Sequence, residues 1–216
     1  MSRSSITAFM LVCVVGASAC RDRAKSDPSL SQSGSAAALA PPPPPPPVKT
    51  PLDEILERKT MAEALAYAKP RMKDATNDLD PGTLIFGAWA SKNMKWTDVA
   101  VAKDETTPEL VLKDPDEERG KRVCFTGKIV QISVEKTDVG KFNVGIMMVG
   151  YYSVTLFHFL NVGSSGSIVE KTQARLCGVV TGKYTYSNSG GGTGHSIQIV
   201  GMWDLPENKP KDAGVP

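Results

Sequence analysis

From Arg122 onward the chain alternates with period two: Val123, Phe125, Gly127 and Ile129 fall on one face, Cys124, Thr126, Lys128 and Val130 on the other. Successive side chains leave a pleated strand on opposite sides, so this spacing marks a strand with one buried face. The phase breaks at Gln131-Ile132, where a bulge is expected. Further strand segments follow at Phe142–Val149 and Tyr151–Leu160, separated by Gly150. In a fourth, Ala174, Leu176, Gly178 and Val180 repeat the alternation and Tyr184 and Tyr186 continue it. A glycine-rich loop then leads into His195–Trp203, where Ile197, Ile199 and Gly201 alternate against Gln198, Val200 and Met202. The loop between the third and fourth strands, Asn161–Lys171, is expected to carry one helical turn at Ile168-Val169-Glu170.

The preceding segment has a different period. Thr50-Pro51 with Asp53 and Glu54 supplies an N-cap, a proline at the first helical position and an acidic first turn. Thr60 and Glu63 form a capping box, and Ile55, Leu56, Met61, Ala62, Leu65 and Ala66 carry an apolar stripe. A kinked helix over 51–75 is expected, broken near Pro70. Asp80-Pro81 opens a second helix to about Met94, and Trp96 and Thr107-Pro108 open two shorter ones. Trp89 and Trp96 sit beside Leu and Ile at helical spacing, which makes them core residues rather than ligand platforms.

Before residue 51 the composition is not that of a folded domain. Arg3 precedes a short apolar run from Ile6 to Val15, too short for the roughly 20 residues of a spanning helix, and Gly16-Ala17-Ser18-Ala19 leads to Cys20. This is a secretory signal over 1–19. Ala17-Ser18-Ala19-Cys20 resembles the bacterial lipobox, which implies lipidation of Cys20, although Ala17 stands where leucine is commonest. Ala17 and Ala19 also satisfy the rule for ordinary signal peptidase, and both routes cut before Cys20. Arg21 lacks the aspartate linked to inner-membrane retention, which in a Gram-negative cell implies the outer membrane. Residues 20–50 are a Ser/Ala/Pro tether without apolar periodicity, and Pro41–Pro47 is a stiff polyproline II spacer of about 20 Å.

The formal net charge of +2 over 216 residues argues against bulk attraction to nucleic acid or anionic surfaces. From Lys121 to the end, ten Lys or Arg stand against six Asp or Glu, a mild basic excess of the kind a solvated surface carries. Of four cysteines, Cys13 and Cys20 lie in the leader, so Cys124 and Cys177 form the pair available for structure. Strand phase places both away from the Val123 and Leu176 face, and in an oxidising compartment a disulfide is expected if the register brings them level. No metal-ligand spacing, cofactor motif, nucleophile elbow or paired-carboxylate pattern occurs, so neither a metal nor a cofactor is expected.

Five strands with a break between the third and fourth is the element order of an OB-type barrel. The fold expected is therefore α+β: a helical segment over 51–113, a five-stranded OB-like β-barrel over 114–206 and a disordered tail over 207–216. The run Asp114 to Ile132, the Leu176-Cys177-Gly178-Val179-Val180-Thr181-Gly182 strand and the Ile197–Val200 strand resemble bacterial OB-fold proteins related to the tRNA-anticodon-binding module (tRNA_anti-like). That resemblance covers about residues 112–204 and implies the architecture more than an activity, since several exported members are not known to bind nucleic acid.

Candidate binding residues are the aromatics Tyr152, Phe157, His158, Tyr184 and Tyr186 with the cations Lys128, Arg175 and Lys183. Stacking surfaces beside phosphate partners could bind single-stranded nucleic acid or another anionic polymer, and the same residues are also what ordinary exposed strands carry. His158 stands between two phenylalanines without a nearby cysteine or carboxylate motif, which suits a strand histidine better than a catalyst or metal ligand. The function expected is a membrane-anchored envelope lipoprotein with a non-catalytic binding module. Its partners would be the membrane, through the lipid, and an envelope protein or polymer. The alternatives are a nucleic-acid or anionic-polymer binder, and an enzyme built around His158.

Overall fold

The computed structural model describes residues 49–150, 154–188 and 190–210. The expectations for the signal, Cys20, the tether up to Val48, Tyr152 and residues 211–216 lie outside them. Helices α1 (Pro51–Leu56), α2 (Met61–Ala68), α3 (Pro81–Asn93), α4 (Trp96–Val99), α5 (Pro108–Lys113) and α6 (Pro115–Glu118) accompany strands β1 (Ala75–Thr76), β2 (Arg122–Thr137), β3 (Gly140–Val149), β4 (Thr155–Val162), β5 (Gln173–Ser187) and β6 (Thr193–Trp203). The protein is α+β.

The expected single kinked helix over 51–75 is two helices and a 3-10 turn (Lys69–Arg71). The break falls where the Thr60–Glu63 capping box restarts the chain, since Glu63 accepts from the Lys59 and Thr60 amides at 2.8 and 3.2 Å. The turn expected at 168–170 is not helical; Ile168 and Thr172 close separate tight turns onto Ser165 and Val169. The 207–216 tail begins in a 3-10 turn, Pro206–Asn208, whose Asn208 amide bonds the Ser164 and Trp203 carbonyls at 3.0 and 2.9 Å.

Five strands close on themselves in the order β2-β3-β4-β6-β5, with β5 returning to β2. Within this ring only β4 and β6 run parallel. The short β1 lies parallel to the second half of β5, beyond the stretch that pairs with β2. Inside the ring Val123, Ile129, Met147, Phe157, Leu176, Ile197, Ile199 and Trp203 form one core. A second core lies on the outer face, where Phe142, Leu160, Val162, Val179, Val200 and Met202 meet Ile55, Phe86, Trp89 and Met94 of the helices. Trp89 is buried as expected, and its indole N–H donates to the Arg58 carbonyl at 3.0 Å.

Cys124 and Cys177 are directly opposed in the β2–β5 register and form a disulfide. Their Cα atoms are 4.1 Å apart, and the Cys124 amide donates away from β5 to Asp104 at 2.8 Å. Both facts describe the close, non-hydrogen-bonded type of antiparallel pair, the one whose side chains approach nearest.

Two bulges set which residues reach the outer face. In β2 the register slips between Ile129 and Gln131, at the place the sequence phase predicts. Beyond it Gln131, Ser133 and Glu135 lie opposite Ile146, Val144 and Phe142 on the outer face. In β5 it slips between Val180 and Gly182. The straight alternation Ala174–Val180 continues inward only to Val180; the extra residue turns Tyr184 and Tyr186 outward, opposite Ser196 and Gly194.

Candidate functional site: a polar cleft on the outer face

The bulge at Thr181 brings Tyr184 onto His158, with ring centroids 3.9 Å apart and planes inclined by 21°. Tyr186 follows at 5.9 Å. Gly194 makes this possible, because a Cβ there would lie 2.4 Å from the Tyr186 ring. The three aromatics come from two strands that are not neighbours, with Gln198 of β6 between them in register with His158 and Gly182.

His158 and Tyr184 line a cleft of about 510 Å³ whose other walls include Gln131, Ser133, Ile146 and, from the loop after β1, Asn77 and Asp78. Its neighbour of about 400 Å³ lies under α1 and α3 and is lined by Leu52, Leu84, Ile85, Ala88, Phe142 and Leu160 among others. Leu79, Glu135 and Val144 belong to both, so the two spaces meet. Gly145, also on the polar wall, sits where a Cβ would be 2.0 Å from the Gln131 carbonyl. Only glycine lets β3 approach the β2 bulge so closely.

Burial pushes the His158 imidazole down to about 4, and its Nε2 is enclosed without a hydrogen-bond partner among the described residues. Burial, then the Asp78 carboxylate, raises the Tyr184 phenol. At neutral pH the aromatic wall is therefore uncharged. Because the native pKa of His158 lies below the unfolded value near 6.5, its contribution to stability is complete above pH 6.5. It is lost as pH falls from there to about 4, and stays lost below. Allowing for solvent at the cleft mouth, the loss is on the order of 2 kcal/mol. An NMR titration should show this ring titrating near 4, and His158→Phe should flatten the stability profile between pH 6.5 and 4. A native midpoint near 6.5 would contradict it.

The other expected binding residues are scattered. Phe157 does not belong to a surface: it points into the ring, 1% exposed, stacked on Phe125 with centroids 3.8 Å apart. Strand pleat explains this, since His158 faces outward and its neighbour must face inward. Lys128 lines a separate cleft with Thr126, Met148 and Gln173. Arg175 stands 3.7 Å from Asp204, which also holds Lys209 at 2.6 Å. Lys183 stands 3.7 Å from Asp74. Among the described residues no group of three or more His, Cys, Asp or Glu is placed to hold a metal.

No family model matches the chain, and no curated protein matches it. Among solved structures it is similar to a mitochondrial single-stranded DNA binding protein from S. cerevisiae, with 8% identity and a TM-score of 0.30 over 41% of this chain and 97% of that one.

Asp78, Gln131, Ser133 and Glu135 join the cleft in addition to the residues expected from the sequence. For the β2 residues the signal was present, because a bulge near Gln131 moves every later odd-numbered residue to the outer face. For Asp78 none was, because its position depends on β1 pairing with β5 across more than a hundred residues.

Proposed function

We propose that the protein is an exported, lipid-anchored binding module of the cell envelope. Cys20 carries the lipid, the Pro-rich segment is the tether, and the ring is an OB-type barrel that takes its ligand in the His158 cleft. The carrying observation is that cleft, an open concavity on the outer face of β3 and β4 with polar groups converging on an uncharged aromatic wall. The strand order, with its one parallel pairing between the third and last ring strands, supports the barrel assignment. OB barrels commonly bind over their second and third strands, which are β3 and β4 here. In this chain α3 covers part of that face, so the remaining open part suits a compact ligand rather than a long strand.

The disulfide favours an oxidising compartment. The electrostatics disfavour nucleic acid, because Arg175 and Lys183 are paired to carboxylates and the cleft itself is lined by Asp78 and Glu135. His158 has no carboxylate or hydroxyl partner among the described residues to make it a general base, which favours binding over catalysis. Two measurements test the proposal. Cys20→Ser is expected to move the protein from the membrane fraction to the soluble exported fraction, and the full chain is expected to pass through single-stranded DNA resin at low salt. Membrane retention by the variant would remove the anchor; salt-sensitive retention on the resin would favour a nucleic-acid role.

A further inference from the structure

The polar cleft and the apolar chamber beneath α3 are two ends of one groove. Together they contain about 510 and 400 Å³, joined through Leu79, Glu135 and Val144. Apart from Glu135 and Thr137 the chamber walls are aliphatic and aromatic, and Leu84, 47% exposed, stands at them on α3. An apolar concavity left open to water favours an apolar occupant, at roughly 25 cal/mol for each Å² it removes from solvent.

The polar end has a definite sign. Asp78 and Glu135 line it, no Lys or Arg lines either space, and neither carboxylate has a cationic partner among the described residues. Glu135 lies where the two spaces meet, at the point where the head of an amphiphile would leave the apolar chamber. Beyond it the His158 and Tyr184 rings offer aromatic surface, whose faces attract cations. A carboxylate or phosphate head group here would face two like charges on the cleft walls and find no Lys or Arg among the lining residues.

We propose that the groove binds a cationic amphiphile, with one apolar chain or ring system in the Leu84–Phe142 chamber and an amine, ammonium or guanidinium head between Glu135 and Asp78. This rests on the ligand-binding role proposed above and specifies its ligand class.

The test compares matched probes, decylammonium, decanoate and decanol, each below its critical micelle concentration, by calorimetric titration into the full chain. Decylammonium is expected to bind at least about tenfold tighter than either of the others. Asp78→Asn with Glu135→Gln should bring decylammonium to the affinity of decanol. Leu84→Lys alters an exposed position, so the native melting temperature should persist while decylammonium binding is lost. Preference for decanoate or decanol over decylammonium would overturn the cationic assignment and leave the binding role standing. If none of the probes bound, or if Leu84→Lys left binding intact, the groove would be rejected as the ligand site and the binding role would fall with it.

Discussion

A chain carrying Cys124→Ala and Cys177→Ala is expected to melt about 10 °C below the native protein. The disulfide joins residues 53 apart, and closing a loop of that length in the unfolded chain stabilises the fold by about 4 kcal/mol on the chain-entropy account. For a domain of this size each kcal/mol moves the melting temperature by about 2–4 °C. The bond spans the β2–β5 pair that closes the ring, and Cys177 is fully buried under the helical layer. Its removal therefore loosens the closure and the outer core together. Against a total stability of about 5–15 kcal/mol this is a large fraction. Thermal denaturation of the double variant measures it, and thiol titration of the denatured native chain should find the pair unreactive until reduced. An unchanged melting temperature, or two reactive thiols from this pair, would contradict the prediction.

That cross-link was legible before the structure because it depends on short-range regularities. Cys124 and Cys177 each lie within an uninterrupted stretch of period-two alternation, so their facing could be read directly. Only the register depends on the rest of the fold. The helix starts at Thr50, Thr60, Asp80 and Thr107 were legible for the same reason, since a cap is a local arrangement of one hydroxyl or carboxylate with amides two or three residues on. The binding surface was less so. The alternation of Leu176 and Val180, continued straight, carries Tyr184 and Tyr186 inward, and one extra residue at Thr181 turns both outward. Gly182 is a local sign of a bulge, but Gly178 in the same strand marks none, and the groups that stabilise the reversal come from elsewhere in the chain.

Arg119 is the chief of those groups, and Arg119→Ala is expected to cost about 3 kcal/mol and to undo the His158–Tyr184 stack. Its side chain is almost fully buried. The Nε donates to the Thr181 carbonyl at 3.1 Å, at the bulged residue, where no strand partner takes that role. One terminal nitrogen donates to Asp116 and the other to Asp74 at 2.5 Å. Asp74 in turn accepts from the Lys183 amide at 3.0 Å, just past the bulge. One planar guanidinium thus ties the end of the helical segment, the strap before β1 and the irregular backbone of β5. Removing it leaves a buried carbonyl without a donor, while Asp116, largely exposed, regains water; this places the cost at the lower end for a broken buried ion pair. Arg119→Lys should recover only a small part, because an ammonium is a point charge and cannot reach three partners set in a plane. Two readouts separate a local role from general loosening. A double-mutant cycle with Asp74→Ala should give a coupling of at least about 1 kcal/mol. The His158 titration should move from about 4 toward 6.5 as the Tyr184 ring leaves it and water enters. Stability within about 0.5 kcal/mol of native, with the His158 midpoint unmoved, would show that the bulge holds without Arg119.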